Sequence, residues 1–188
     1  MDTADRLIES TRALLWERGY VGTSPKAILE RAGAGQGSMY HHFSGKRDLA
    51  LAAVRRTAQE MRESAEERLS GPGTALERVA AYLLREREVL KGCPVGGLTQ
   101  DPDLMADPEL RAPVDETFAW LRERIAALLS EARQDGALGP VLDPADTAAA
   151  VVAVLQGGYV LARAADSAEP FHRAVGGVLD LLGARVTD

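Results

Sequence analysis

The 188-residue sequence contains one cysteine, Cys93, so no disulfide can close within a single copy, which suits a reducing compartment. Aromatic residues make up only 5% of it, and no run alternates polar and apolar side chains for the length of a strand. Both scarcities argue against sheets, while abundant Ala, Leu, Glu and Arg favour helices. No stretch of about 18 unbroken apolar residues occurs, so no membrane span is expected. The opening "MDTADRLIES" is acidic and amphipathic, unlike a secretory signal. Hydrophobic residues still make up 46% of the chain, ample for a core, and a soluble cytoplasmic protein is expected.

Helical periodicity runs nearly throughout. Ala4, Leu7, Ile8, Thr11, Leu14 and Leu15 share one face of a first helix, with Gly19 placed to end it. A second helix is expected in "TSPKAILERAG", capped by Ser24, opened by Pro25 and closed by Gly33. The third spans about Gln36 to Phe43 behind Gly35, and Ser44 caps a fourth that reaches the "GPG" break. Further helices are expected over about 74–91, in a short segment before Asp107, and over about 108–135. The last two run from Asp143-Pro144 to about Ala165 and from about Pro170 to Arg185. The fold class is therefore all-α with about nine helices: a three-helix head over 1–48 and a larger helical bundle over 49–188.

Charge and local chemistry single out the head. Residues 1–56 carry nine Lys/Arg against six Asp/Glu, and residues 57–188 carry thirteen against twenty-two. Within the head, "GAGQGSMYHHFSGK" has no carboxylate at all. On its short helix, Met39 and Phe43 share a side that would pack on Ile28, Ala32 and the first helix. Gly37, Ser38 and His41 point away, and Tyr40 and His42 lie on the shoulders. Two short helices around a glycine-rich turn, the second presenting polar groups outward, describe a helix-turn-helix. A major groove admits one such helix. Gln36 offers paired donor and acceptor to an adenine, Gly37 allows close approach, and Tyr40 and His42 reach phosphates. Ser44, Gly45 and Lys46 open the next helix, where free N–H groups and an ammonium attract an anion. Lys26 is a cation in a helix first turn, a placement that costs roughly 0.3–1 kcal/mol unless something outside rewards it. The plainer alternatives are solvated lysines, half-buried packing for Tyr40 and His42, and turn glycines at 35 and 37. The adjacent His41 and His42 point about 100° apart, and with distant His172 they form no metal ligand set.

In "TSPKAILERAG" and "GSMYHHFSGKRDLALAA" the chain resembles the TetR family of bacterial transcriptional regulators, over about residues 5–52. The resemblance implies a homodimer whose heads bind an operator in double-stranded DNA and whose bodies bind a small-molecule effector that releases it. By position it puts Gln36 and Gly37 at base-reading sites and Lys26 at a base or phosphate. It puts Ser38, Tyr40, His42 and Lys46 at phosphates, and His41 at sugar or phosphate. Gly35 replaces the usual Ser or Thr cap, so a cap-to-phosphate contact is lost. "GCPVGG" resembles a branch that includes repressors of multidrug-efflux genes and flavonoid-responsive regulators, although Gly97-Leu98-Thr99 departs from its usual continuation.

In the body, Gly157-Gly158 and Gly176-Gly177 let helices approach closely, either between two copies in a four-helix interface or within one. Met61, Tyr82, Cys93, Leu98, Phe118, Trp120 and Tyr159 are candidate pocket residues for a flat, apolar or aromatic effector, the alternative being ordinary core. Cys93 lacks a base that would make it a nucleophile, and no cofactor or metal is expected. The competing reading, a helical small-molecule carrier or enzyme without DNA function, lacks any acid–base pair to support it.

Overall fold

The computed structural model describes residues 2–184. Among these residues there are nine α-helices, two short 3₁₀ turns and no strand, so the all-α expectation holds. The helices are α1 (Thr3–Arg18), α2 (Pro25–Ala32), α3 (Gln36–His42), α4 (Lys46–Leu69), α5 (Ala75–Leu84), α6 (Pro102–Ala106), α7 (Pro108–Gln134), α8 (Pro144–Ala165) and α9 (Glu169–Leu182). The chain divides into two compact units, Met1–Glu60 with Pro94–Glu116, and Met61–Cys93 with Thr117–Asp188. Packing therefore draws a different line from the functional division expected at residue 48. The segment after Pro94 belongs with the first helices.

In the first unit, α1 starts where the Asp2 carboxylate accepts the Asp5 N–H at 2.8 Å, and it buries Leu7, Ile8, Leu14 and Leu15. It stops at Gly19, whose φ of 71° is open to glycine, and the chain then turns sharply. A Cβ on Gly22 would lie 2.4 Å from the Arg18 carbonyl oxygen, so no other residue fits there. The turn is fastened by Asp101, only 7% exposed and 80 residues away. One of its carboxylate oxygens accepts the Val21 N–H at 2.8 Å, and the other caps α6 at the Leu104 N–H. The Ser24 hydroxyl caps α2 by accepting the Ala27 N–H, and Gly33 closes it in the left-handed region. Ser44 does not cap α4 as expected. Its N–H and hydroxyl both donate to the Asp48 carboxylate, at 3.0 and 3.3 Å, and the helix begins after Gly45.

In the second unit, α5 opens with the reciprocal Thr74–Glu77 capping pair. It ends at Leu84, well short of residue 91. The reason is Arg87: its guanidinium donates to the carbonyls of Tyr82, Leu83 and Arg85 at 2.6–2.8 Å, satisfying the groups a longer helix would have paired. A 3₁₀ turn, Val89–Lys91, follows. Helices α8 and α9 pack together, with the Tyr159 and Phe171 rings 4.8 Å apart and Val151, Leu155, Val175 and Leu179 buried. The glycine pairs separate here. A Cβ on Gly158 would sit 3.0 Å from the Phe171 ring, whereas one on Gly157, Gly176 or Gly177 would meet nothing within 4 Å. Gly183, left-handed, ends α9, and Arg185, expected in this helix, lies outside the described residues. Helix α8, with a mean hydropathy of 1.5 over 18 residues, is long and apolar enough by length and composition alone to cross a membrane. A core helix packed on a neighbour, as α8 is on α9, has the same composition.

Candidate nucleic-acid interface

Seven residues cannot form a stable helix alone, so α3 depends on its anchor. That anchor is Met39, with none of its surface exposed, assisted by half-buried Phe43. Everything else on α3 is available. Gln36, Gly37, His41 and His42 are exposed, Ser38 is half-buried, and Tyr40 is 55% exposed. The half-buried alternative for Tyr40 and His42 is thereby set aside. The two imidazoles stand edge to face, 4.9 Å apart. Gly35 is the α3 N-cap and supplies no side-chain bond. A Cβ at Gly35 or Gly37 would meet no atom within 4 Å, and neither has a positive φ, so the fold requires neither glycine.

Beside α3 lies a concavity of about 750 Å³ between α2 and α3, lined by Ser24, Lys26, Glu30, Gln36 and Tyr40 together with Leu29 and Met39. Glu30 breaks the expected absence of carboxylates from this surface. It lies 3.8 Å from Lys26 one helical turn earlier, so Lys26, though its side chain is 85% exposed, has a loose partner within the fold. Lys46 is more firmly held, its ammonium lying 4.1 Å above the Tyr20 ring. Burial there pulls its pKa down, and Asp101 and Asp103 pull it back up. The phosphate clamp read from the sequence is further altered because Asp48 already accepts the Ser44 N–H. The basic balance of residues 1–56 does not extend to the compact unit, which holds ten Lys/Arg against thirteen Asp/Glu. Any attraction for an anion is therefore local to α2, α3 and the first residue of α4.

Three residues not singled out from the sequence fasten the segments on either side of α2 and α3: Asp101, Arg47 and Asp107. Arg47 donates to both oxygens of Asp107, at 2.6 and 2.9 Å, and to Glu109 at 3.0 Å. These hydrogen bonds hold the Asp107 pKa below the ordinary carboxylate range. The signal present was the pair of Asp-Pro steps at 101–102 and 107–108, which mark helix starts but not distant partners.

Residues 7–53 match the family described as bacterial regulatory proteins, tetR family, and residues 74–178 match a tetracyclin repressor-like C-terminal domain. The chain belongs to the tetR family. It is a DNA-binding transcriptional regulator and not an enzyme. It is 27% identical to the HTH-type transcriptional regulator LmrA of Bacillus subtilis, over 96% of this chain and 97% of that one. To the HTH-type transcriptional repressor NemR of Escherichia coli K12 it is 26% identical, over 96% and 94%. A TetR transcriptional regulator from Chloroflexus aurantiacus superposes with a TM-score of 0.84 at 27% identity, over 96% of this chain and 94% of that one.

In the second unit of this tetR-family regulator, three of the seven candidate pocket residues come together. Tyr82, Cys93 and Tyr159 are buried and electrostatically coupled to one another and to Arg85 and Arg87. Burial raises the Tyr82 hydroxyl and pushes Tyr159 up to about 12. Met61, Phe118 and Trp120 are half-buried in the same unit, and Leu98 is buried in the first unit instead. Cys93 is a free, buried thiol. A cavity of about 570 Å³ opens beside Leu83, Arg85, Arg87, Val89, Phe171 and Val175, and none of the seven lines it. Arg85, Arg87 and Phe171, which do line it, are not among the candidates drawn from the sequence.

Proposed function

We propose that this regulator is a homodimeric repressor, each copy laying α3 in the major groove of one half of a near-palindromic operator, and that a small-molecule effector in the second unit releases it. The observation that carries this reading is α3 itself, which has one residue buried, its polar side chains left to solvent, and a glycine at 37 that nothing in the chain requires. Gln36 and Gly37 face base edges, Lys26 a base or phosphate, Ser38, Tyr40, His42 and Lys46 phosphates, and His41 sugar or phosphate. A twofold dimer sets two such helices about one DNA turn, ~34 Å, or a multiple of it apart. Support for the dimer comes from the open side of α8 and α9, where Val160, Leu161 and Leu181 are exposed beside the unfilled Gly157 and Gly177. Each copy would lay that apolar side against the other. The "GCPVGG" segment supports the branch that includes multidrug-efflux and flavonoid-responsive repressors, and a DNA-bound regulator works in the cytoplasm.

Sequencing the duplex fragments that the purified protein retains would define the operator. Tyr40→Ala and Lys46→Ala should then weaken binding to every duplex and flatten its salt dependence, while Gln36→Ala should mainly change base preference. If both variants hold the operator as tightly as the parent, the contact assignment fails.

A further inference from the structure

We propose that the cavity beside residues 83–89 takes an aromatic carboxylate, its acid group bound by Arg85 with Arg87 behind it. This rests on the reading that the second unit holds an effector and names that effector's chemistry. An apolar ligand was expected from the sequence, and most of the lining suits one: Leu83, Val89, Phe171 and Val175. The two arginines do not. Neither has an ion-pair partner among the described residues, although both line the cavity. The Arg87 donors are taken by the carbonyls of Tyr82, Leu83 and Arg85. Burial depresses its pKa, Arg85 adds repulsion, and only the hydroxyls of Tyr159 and Tyr82 oppose this.

Arg85 is the less satisfied of the two. One terminal nitrogen donates to the Ser64 hydroxyl at 2.9 Å, and its guanidinium carbon lies 4.9 Å from the Tyr82 ring centre. Its Nε is buried with no hydrogen-bond partner among the described residues. The side chain as a whole is only half-buried, and a partly desolvated guanidinium is a stronger anion site than one at the open surface when it has no anion beside it. The carboxylates that also line the cavity do not supply one: Glu88 is held by Lys91 at 2.5 Å, and Glu86 is exposed. A ligand carboxylate could accept from the two terminal nitrogens, only one of whose N–H groups is taken, by Ser64, in the planar match at which guanidinium excels. Its ring would lie against Phe171 and the aliphatic side chains, and about 570 Å³ admits two fused rings.

Calorimetric titration of the full-length protein with 2-naphthoate and with 2-naphthamide separates the charged ligand from its neutral counterpart. Naphthoate should bind roughly tenfold or more tightly than the amide. Arg85→Gln should weaken naphthoate by roughly tenfold to a hundredfold while changing amide binding little, and Arg85→Lys should recover part of the loss. The proposal is overturned if the amide binds as well as the acid, if neither binds, or if Arg85→Gln binds naphthoate like the parent. Should Arg85→Gln not fold, the acid–amide ratio on the parent decides. Duplex retention is measured on the same preparation. A protein that retains DNA but ignores naphthoate loses this inference alone, and one that binds naphthoate but retains no duplex loses the repressor reading instead.

Discussion

Helix α3 and the end of α5 are both short stretches rich in polar side chains, yet the fold uses them in opposite ways. On α3 the fold takes Met39 and leaves Gln36, Tyr40, His41 and His42 outward. At the end of α5 the fold takes Tyr82 and Leu83 and turns Arg87 back onto three carbonyls, leaving Leu84, Glu86 and Glu88 outward. Where side chains are surplus to folding, their chemistry reports on what comes from outside. Where they terminate a helix, two roles are superimposed, and only Arg85, which no backbone carbonyl takes up, points to a ligand.

The sharpest way to break the contrast is Met39→Ala. Removing a fully buried side chain should cost about 2–5 kcal/mol and abolish duplex binding by unseating α3. Tyr40→Ala, on an exposed side chain, should leave the melting temperature almost unchanged. Comparable melting curves for the two variants would erase the distinction. Next in size is Asp101→Ala, which orphans the Val21 and Leu104 N–H groups and should destabilise by about 1–3 kcal/mol in urea titration. Gly37→Ala has the opposite sign. With open space around the new methyl it should stabilise the protein by about 0.5–1 kcal/mol, yet weaken duplex binding. A variant both more stable and equally tight would remove the argument that DNA set this residue.

The smallest effect concerns acid. The folded-state pKa of Asp107 is depressed by Arg47, so its contribution is present above the unfolded value of about 3.9 and is lost as pH falls through the lower folded value. Arg47→Gln should therefore lose slightly more stability at pH 7 than at pH 3, measured by denaturant midpoint.

Much of this was legible in advance. Caps such as Ser24 and Asp143 and stops such as Gly19 and Gly33 act within one turn of themselves, so local order alone placed α1, α2 and α8. Ser44 misled because Asp48, four residues on, competes for it, and α5 was drawn too long because Arg87 was read as a helical residue rather than as the group ending the helix. The seven body candidates are scarce large residues, which are conspicuous in any core, and none of them lines the cavity beside residues 83–89.

What the sequence determined by itself is the order of helices and the polar face of α3, since both follow from neighbours three or four positions apart. The tertiary structure alone decided that Asp101 fastens the first turn, that Gly158 meets Phe171 while Gly157 stays open, and that Arg85 keeps a buried donor free. Those are distances between residues far apart along the chain, and periodicity carries no information about them.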